Sequence, residues 1–399
     1  MSVPNPHRLS TGTAVDDPAP GGLDREVPPW EKGDGGPLVV TYGFTQPPPA
    51  QKVFQILERY RLQTIARDVL CMRAHHRIGV CKRAIVVGEG AVKVGMTRGR
   101  ASYGGLMVCG SPWVCAVCAD RITRERAKEV VTVMGRHMGA GKAVFHVPFT
   151  IPHRANQPLK ELIGKIGEAR RIMANRPSWM RFKNVVGLIG YVRGLEVTWG
   201  ENGWHPHLHD AWFLSKRFDD GSIVNLHRMV LDMWQSACEA AGLEKPNYRG
   251  VMVTPVRDPT SYVAKWGIQA EMTRGHMKRG RAGRYSPFDL LRGIHEGEKH
   301  LTRKFLEYAD AFHRRRQLVW SKGLRELYRM EPEKADDEIA ESMDDGWGFL
   351  YFIAPSQWKV ILAEDKRAEV LRITEREGEE GAMAYIRELC GMREPGCEG

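Results

Sequence analysis

The segment that most restricts this chain is "VGLIGYVRGLEVTWGENGWHPHLHDAWFL", residues 186–214. Two runs with extended-chain patterning are separated only by "GENG", a spacing that specifies an antiparallel hairpin. Side chains at i and i+2 of a strand share a face, so His205, His207 and His209 point the same way. The register of the first run depends on the turn. With Glu201 and Asn202 at its centre, Glu196 pairs with His207. With Asn202 and Gly203 there, it pairs with His209. Either two-residue loop brings Glu196 onto the histidine face, within cross-strand reach. A three-residue loop would turn it away. Imidazoles and a carboxylate gathered on one face are ligands for a divalent metal ion.

The rest of the chain is read around this hairpin. Residues 51–70, 157–176, 225–241, 258–273 and 298–317 carry helical apolar spacing, and 142–153 and 250–256 read as strands. Asp258 followed by Pro259 is a helix start, with the acid at N-cap and the proline at the first helical position. "CKRAIVVGEGAVKV" (81–94) is expected to form two short strands around a glycine turn. The order β-α-β-β-α-β-α across 142–273 predicts an α+β fold, an antiparallel sheet with flanking helices. Residues 1–50 are rich in Pro and Gly, bury too little apolar surface to offset chain entropy, and read as a disordered tail. Residues 51–140 read as a helical subdomain with a cysteine knuckle, 141–330 as the sheet domain, and 331–399 as a C-terminal α/β extension.

The formal net charge of +11 makes polyanions the first partners to consider. The loop "TRGHMKRGRAGR" offers Arg274, Lys278, Arg279, Arg281 and Arg284 with no acid among them, which suits a phosphate backbone. "HRRR" (313–316) is a further basic cluster. No apolar run long enough for a membrane span is present, and the N-terminus lacks the apolar core of a secretory leader. A cytoplasmic protein with reduced thiols is therefore expected. Within "CGSPWVCAVC", Cys109, Cys115 and Cys118 offer three thiolates for a structural zinc, and the CxxC pair is a common half of a tetrahedral site. Cys81 is the preferred fourth ligand, with Cys71, His75 and His76 as alternatives. "GAGKAV" (139–144) has neither the first glycine nor the Ser/Thr of a P-loop, so no fused helicase is expected.

"SYVAKW" (261–266) falls in the helix that Asp258 starts. Tyr262 with Lys265, and Tyr262 with Trp266, are spaced to share one helix face. The three pieces, in order "FHVPFTIPH" (145–153), "GWHPHLH" (203–209) and "YVAKW" (262–266), resemble the motifs of the HUH endonuclease superfamily. More narrowly they resemble the replication initiators of rolling-circle plasmids, over about residues 70–330. The resemblance implies an HUH endonuclease fold with Mg²⁺ or Mn²⁺ on Glu196, His207 and His209. It implies Tyr262 as nucleophile, leaving a 5′-phosphotyrosine and a 3′-OH primer, with Lys265 offsetting phosphate charge. His205 becomes an outer residue facing the metal shell or DNA. Single-stranded or hairpin origin DNA would be the substrate, and a host helicase and polymerase the partners. Trp266 stands where related initiators have a second Tyr, so one tyrosine is expected to act. Termination would then use a water activated by Asp258 or Glu271, or Tyr262 of a second subunit in a homodimer. The competing readings are a single-tyrosine HUH transposase, a non-catalytic zinc-containing DNA-binding regulator, and a metal hydrolase built on His205, His207 and His209.

Overall fold

A computed structural model of the chain describes residues 49–72, 76–260, 284–343 and 346–391. Residues 1–48, Tyr262, Lys265, Trp266, Glu271 and the loop arginines and lysine from Arg274 to Arg281 lie outside the described residues. In chain order, α1 (Pro49–Cys71) is followed by the hairpin β1 (Val92–Thr97) and β2 (Arg100–Gly104), then α2 (Ala116–Gly139) and β3 (Ala143–Thr150). Next come α3 (Leu159–Asn175), α4 (Pro177–Val186), β4 (Leu188–Gly200), β5 (Gly203–Leu214), α5 (Asp220–Ala240) and β6 (Thr254–Pro255). After the undescribed segment follow α6 (Pro287–His295), α7 (Leu301–Phe312), β7 (Leu318–Trp320), α8 (Leu324–Leu327) and α9 (Asp336–Glu341). The chain closes with β8 (Gly348–Ile353), α10 (Pro355–Ala363) and α11 (Arg367–Leu389).

The fold is α+β, and its centre is the predicted hairpin. The larger sheet has five strands in the order β6-β3-β5-β4-β7, with antiparallel pairing throughout. Gly200 pairs with Gly203 and Glu196 with His207, so the turn centres on Glu201 and Asn202. Gly203 holds φ at +83°, and a Cβ there would come within 2.7 Å of the Ala155 backbone. Glycine is therefore required both by backbone conformation and by the close approach of the neighbouring loop.

One face of the sheet is wholly covered. Trp212 is packed by Trp179 and Phe182 of α4, and Phe149 by Trp234 of α5, within a core that α3 completes with Leu162, Ile166 and Met173. Among the described residues, the other face is covered only in part. Helix α2 lays Val130, Val131 and Met134 over Val144, Val192, Ala211 and Phe213. Ala211 and Phe213 continue the odd-numbered row of β5 that begins with His205, His207 and His209, so α2 seals one half of that row and leaves the histidine half.

The smaller sheet has the order β2-β1-β8. Its core of Val92, Val94, Tyr103, Tyr351 and Ile353 packs with Ile56 and Tyr60 of α1 and Leu371 of α11. The segment after residue 331 thus supplies β8 as an edge strand to a hairpin some 250 residues earlier, about that far by numbering alone. Residues 81–94 do not form two strands. Gly88 and Gly90 take φ of +93° and +66°, which breaks the extended run, and only Val92 onward enters a ladder. The true hairpin turn is Arg98-Gly99, both at positive φ, as a tight two-residue loop requires.

Three further sequence expectations are shortened. Of 250–256, Thr254 and Pro255 pair as a strand, at the sheet edge where a residue without an N–H is tolerated, and Val251 adds a single bridge to Phe149. The helix expected over 298–317 ends at Phe312, and Arg314 turns back with φ +58°. The region 157–176 ends before Pro177, which opens a separate helix. "GAGKAV" is the exit from α2 into β3, a helix C-terminus rather than the N-terminus a phosphate needs. No helix among the described residues is long and apolar enough to cross a membrane.

Candidate functional sites: a four-cysteine cluster and a histidine face

Cys81, Cys109, Cys115 and Cys118 meet with their four sulfurs all within 4.8 Å of one another, and all four residues are buried. Individual separations are 3.7 Å for Cys81–Cys115, 3.5 Å for Cys81–Cys118 and 3.7 Å for Cys109–Cys118. Contact between the thiols, and burial after it, push the Cys109 thiol well above its ordinary range. A cation of the zinc type removes that penalty by taking the sulfurs as thiolates. The cluster can thus hold a structural zinc, with Cys81 in the fourth corner. Cys71 is exposed, and His76 is occupied in accepting the Ile78 N–H; His75 is outside the described residues. Gln63 donates its amide to Cys115 Sγ at 3.3 Å and is itself oriented by Arg367, whose Nη1 donates to Gln63 Oε1 at 2.8 Å. The knuckle is also tied to α7. Trp113 packs tilted against Phe312, ring centroids 4.6 Å apart, and donates Nε1–H to the Arg315 carbonyl at 2.8 Å.

The second group lies on the half of the sheet that α2 does not pack over. Glu196, directly opposite His207 on β4, reaches diagonally so that its Oε2 is 2.9 Å from His209 Nε2. That pair is close but not aligned as a hydrogen bond, and His209 Nε2 and His207 Nε2 are both buried without a hydrogen-bond partner. Buried polar atoms left without a hydrogen-bond partner call for an explanation, and a bound ion is one. The donors of His207, His209 and Glu196 do not all fall within 4.8 Å, as the cysteines do; the group is looser. Its donor set of two imidazoles and one carboxylate fits a divalent ion with open positions.

Two of the imidazoles, His207 and His205, are held neutral. Burial pushes His207 well below its usual range, with His205 and His209 adding to the effect. Burial, then the charges of His153 and Arg284, bring His205 down to about 4. A neutral ring keeps the lone pair a metal needs. His205 packs edge-on against His207, ring centroids 4.1 Å apart, and its Nδ1 lies 2.7 Å from His153 Nε2. Two residues that sequence reasoning missed stand here, His153 and His146, the latter with Nε2 3.0 Å from His209 Nδ1. Both are in the segment 145–153, but only the pairing of β3 with β5 shows which imidazoles they meet.

The ends of the undescribed segment are fixed on both sides of this face. Thr254 and Pro255 pair with β3, and Asp258 caps the following helix start through the Thr260 N–H at 3.0 Å. On the far side Tyr285 exchanges backbone hydrogen bonds with Trp199 of β4 at 2.8 and 2.6 Å. Arg284, next to it, is exposed and close enough to lower the affinity of His153, His205 and His207 for protons. It is the one member of the predicted DNA-binding loop among the described residues.

The back of the same strand does the opposite job. Asp210, fully buried, accepts from Arg193 Nε at 2.6 Å, Arg170 Nη2 at 3.2 Å and Trp212 Nε1 at 3.2 Å. Burial alone would raise its carboxyl; Arg193 and Arg170 more than offset that and keep it ionised.

The chain thus combines an antiparallel sheet that carries a row of histidines with a buried four-cysteine knuckle that can hold a structural zinc, in an α+β fold. The chain is similar to the protein named "Protein rep" of Streptomyces lividans, with 25% identity over 367 residues that cover 72% of this chain and 80% of that one. It also matches the "Neomycin resistance protein" of Streptomyces cyanogenus, at 29% identity over 130 residues, 26% of this chain and 30% of that protein. No protein-family model and no solved structure matches the chain.

Proposed function

We propose that this protein initiates rolling-circle replication of a plasmid by nicking one DNA strand and holding the new 5′ end on a tyrosine, as an HUH endonuclease. The similarity to a Rep protein over most of both chains supports the replication role. The observation that carries the chemistry is the unpaired Nε2 of His207 beside the Glu196–His209 pair, on the half of the sheet that α2 leaves uncovered. The second match spans less than a third of its partner and carries no reading of activity.

In this reading His207, His209 and Glu196 hold Mg²⁺ or Mn²⁺. When bound, the ion supplies Lewis acidity that polarises the scissile phosphate. Tyr262 attacks phosphorus, its phenolic proton passes to solvent, and the 3′ oxygen leaves to become the primer end. Lys265 offsets charge on the phosphate. Arg284, with Arg274, Lys278, Arg279 and Arg281, grips the flanking backbone. The anchoring of residues 255 and 285 on opposite sides of the histidine strand supports delivery of Tyr262 to that face. With Trp266 in place of a second tyrosine, termination falls to a water activated by Asp258 or Glu271, or to a second subunit. Zinc on the four cysteines has a structural role, holding the knuckle against α7.

The test is covalent capture. The full chain is incubated with a single-stranded oligonucleotide from its plasmid origin and Mn²⁺, then run on a denaturing gel. An adduct is expected, lost in Tyr262→Phe and strongly reduced in His207→Ala/His209→Ala. No adduct with wild-type protein refutes nicking. An adduct that survives Tyr262→Phe moves the nucleophile to Tyr248 or Tyr285. Tyr285 is the weaker of these, since its hydroxyl lies 3.2 Å from Glu298 Oε2 and its backbone is bridged to Trp199.

A further inference from the structure

We infer that His146 is a positioning residue for His209: it fixes the tautomer that turns His209 Nε2, lone pair outward, toward the position shared with Glu196 and His207. The inference rests on the proposed metal site and names a residue that neither its motif nor its pattern assigns.

Three observations converge on it. His146 Nε2 lies 3.0 Å from His209 Nδ1, a hydrogen-bond distance. The two rings are within 15° of parallel with centroids 5.3 Å apart. Face-to-face stacking would bring them closer, so this is an edge-on N–H···N contact in a nearly common plane. The register then explains why a neighbour one rung along is used. The residues directly opposite His209 are Pro148 on β3 and Gly194 on β4. Neither side chain can donate or accept a hydrogen bond. His146, opposite Ala211, is the next position on the same face of β3, and it leans back to Nδ1.

The consequence follows from imidazole chemistry. A neutral ring carries one N–H, and the hydrogen bond at one nitrogen decides which nitrogen keeps the lone pair. With Nδ1–H donated to His146 Nε2, the lone pair sits on Nε2, the atom 2.9 Å from Glu196. A ligating histidine is ordinarily held this way by a carboxylate or a backbone carbonyl. Here the partner is a second imidazole. It adds no negative charge to a face that must also accept a phosphate.

The experiment uses the full chain with ¹⁵N-labelled histidine and compares wild type, His146→Ala and His146→Gln, the last retaining an acceptor oxygen. Metal-free NMR reads the His209 tautomer, and Mn²⁺ binding is followed by the loss of the free-ion EPR signal. Wild type is expected to show His209 protonated at Nδ1. In His146→Ala the ring should populate the Nε2–H form, and Mn²⁺ affinity should fall by about 10–100-fold. His146→Gln should recover most of both. An unchanged tautomer and unchanged Mn²⁺ affinity in His146→Ala overturn the inference. Wild-type protein that shows the Nδ1–H tautomer but binds no Mn²⁺ at His209 would sink the nicking-site reading while leaving the His146–His209 relation intact.

Discussion

The four-cysteine cluster and the proposed histidine–glutamate site differ in almost every physical respect. The cysteine group is closed: four buried sulfurs mutually within 4.8 Å, drawn from the turn at Cys81, the loop at Cys109 and the start of α2. The histidine–glutamate group is looser, spread over adjacent strands of one sheet, with Glu196 29% exposed and His207 Nε2 buried without a hydrogen-bond partner. A closed tetrahedral sulfur site completes a fold, whereas a site with spare positions can take a substrate. The contrast teaches that the first group should be worth much stability and no chemistry, and the second the reverse.

That comparison can be broken in four ways, taken from the largest expected effect down. Cys115→Ser/Cys118→Ser, or a strong chelator, should remove zinc and with it the docking of the knuckle. Zinc binding supplies on the order of 10 kcal/mol in small zinc domains, and a fraction of that would already abolish a cooperative transition here. Zinc content and denaturant unfolding measure it, and unchanged zinc would refute the site. Next comes Asp210→Ala, which strands Arg170 (3% exposed) and Arg193 beside an apolar core. A loss of about 3–5 kcal/mol is expected from a buried charge left unpaired. It would show that the back of the histidine strand is structural one residue away from the proposed ligand His209.

Third, His207→Ala/His209→Ala should change metal-free stability by no more than about 1 kcal/mol, since both rings are only partly buried, while Mn²⁺ binding is lost. A collapse of the fold in that variant would erase the distinction between the two groups. The smallest effect concerns Glu307, whose Oε1 accepts the Leu159 N–H at 2.9 Å and so caps α3 from a neighbouring helix. Partial burial pushes its carboxyl up, but the Leu159 N–H and Lys304 more than offset this and lower it. A depressed folded value means stability present above the unfolded value of about 4.3 and lost as pH falls through the folded one. Solvent screens the group, so Glu307→Gln should cost only about 0.5 kcal/mol at neutral pH. The difference from wild type should vanish in acid, read by thermal unfolding at pH 7 and pH 3.

How much of this was legible differs from residue to residue. Glu196, His207 and His209 share a face because strand period is two, a property of the backbone that any extended run obeys. Choosing between the two registers needed the tertiary structure, since both place a glycine beside a polar turn. The three clustered cysteines were legible from their spacing, and Cys81 was separable from Cys71 and His76 only by position in space. The failures are equally specific. "AIVVGEGAV" has strand-like composition, but its two glycines at positive φ send the chain around rather than along. The pairing of β8 with β1 joins residues far apart in the chain, and no local pattern encodes such a partner.

The sequence alone determined what is periodic or short-range: the hairpin, the face shared by its histidines, the N-cap at Asp258, the cysteine knuckle. Local sterics and side-chain alternation act over a few residues, so they can be read from a few residues. Only the tertiary structure decided which half of the histidine row α2 covers, that Asp210 is ion-paired with Arg170 and Arg193 behind it, and that His146 leans on His209. Those outcomes depend on how strands register and helices pack across distances that residue spacing does not carry.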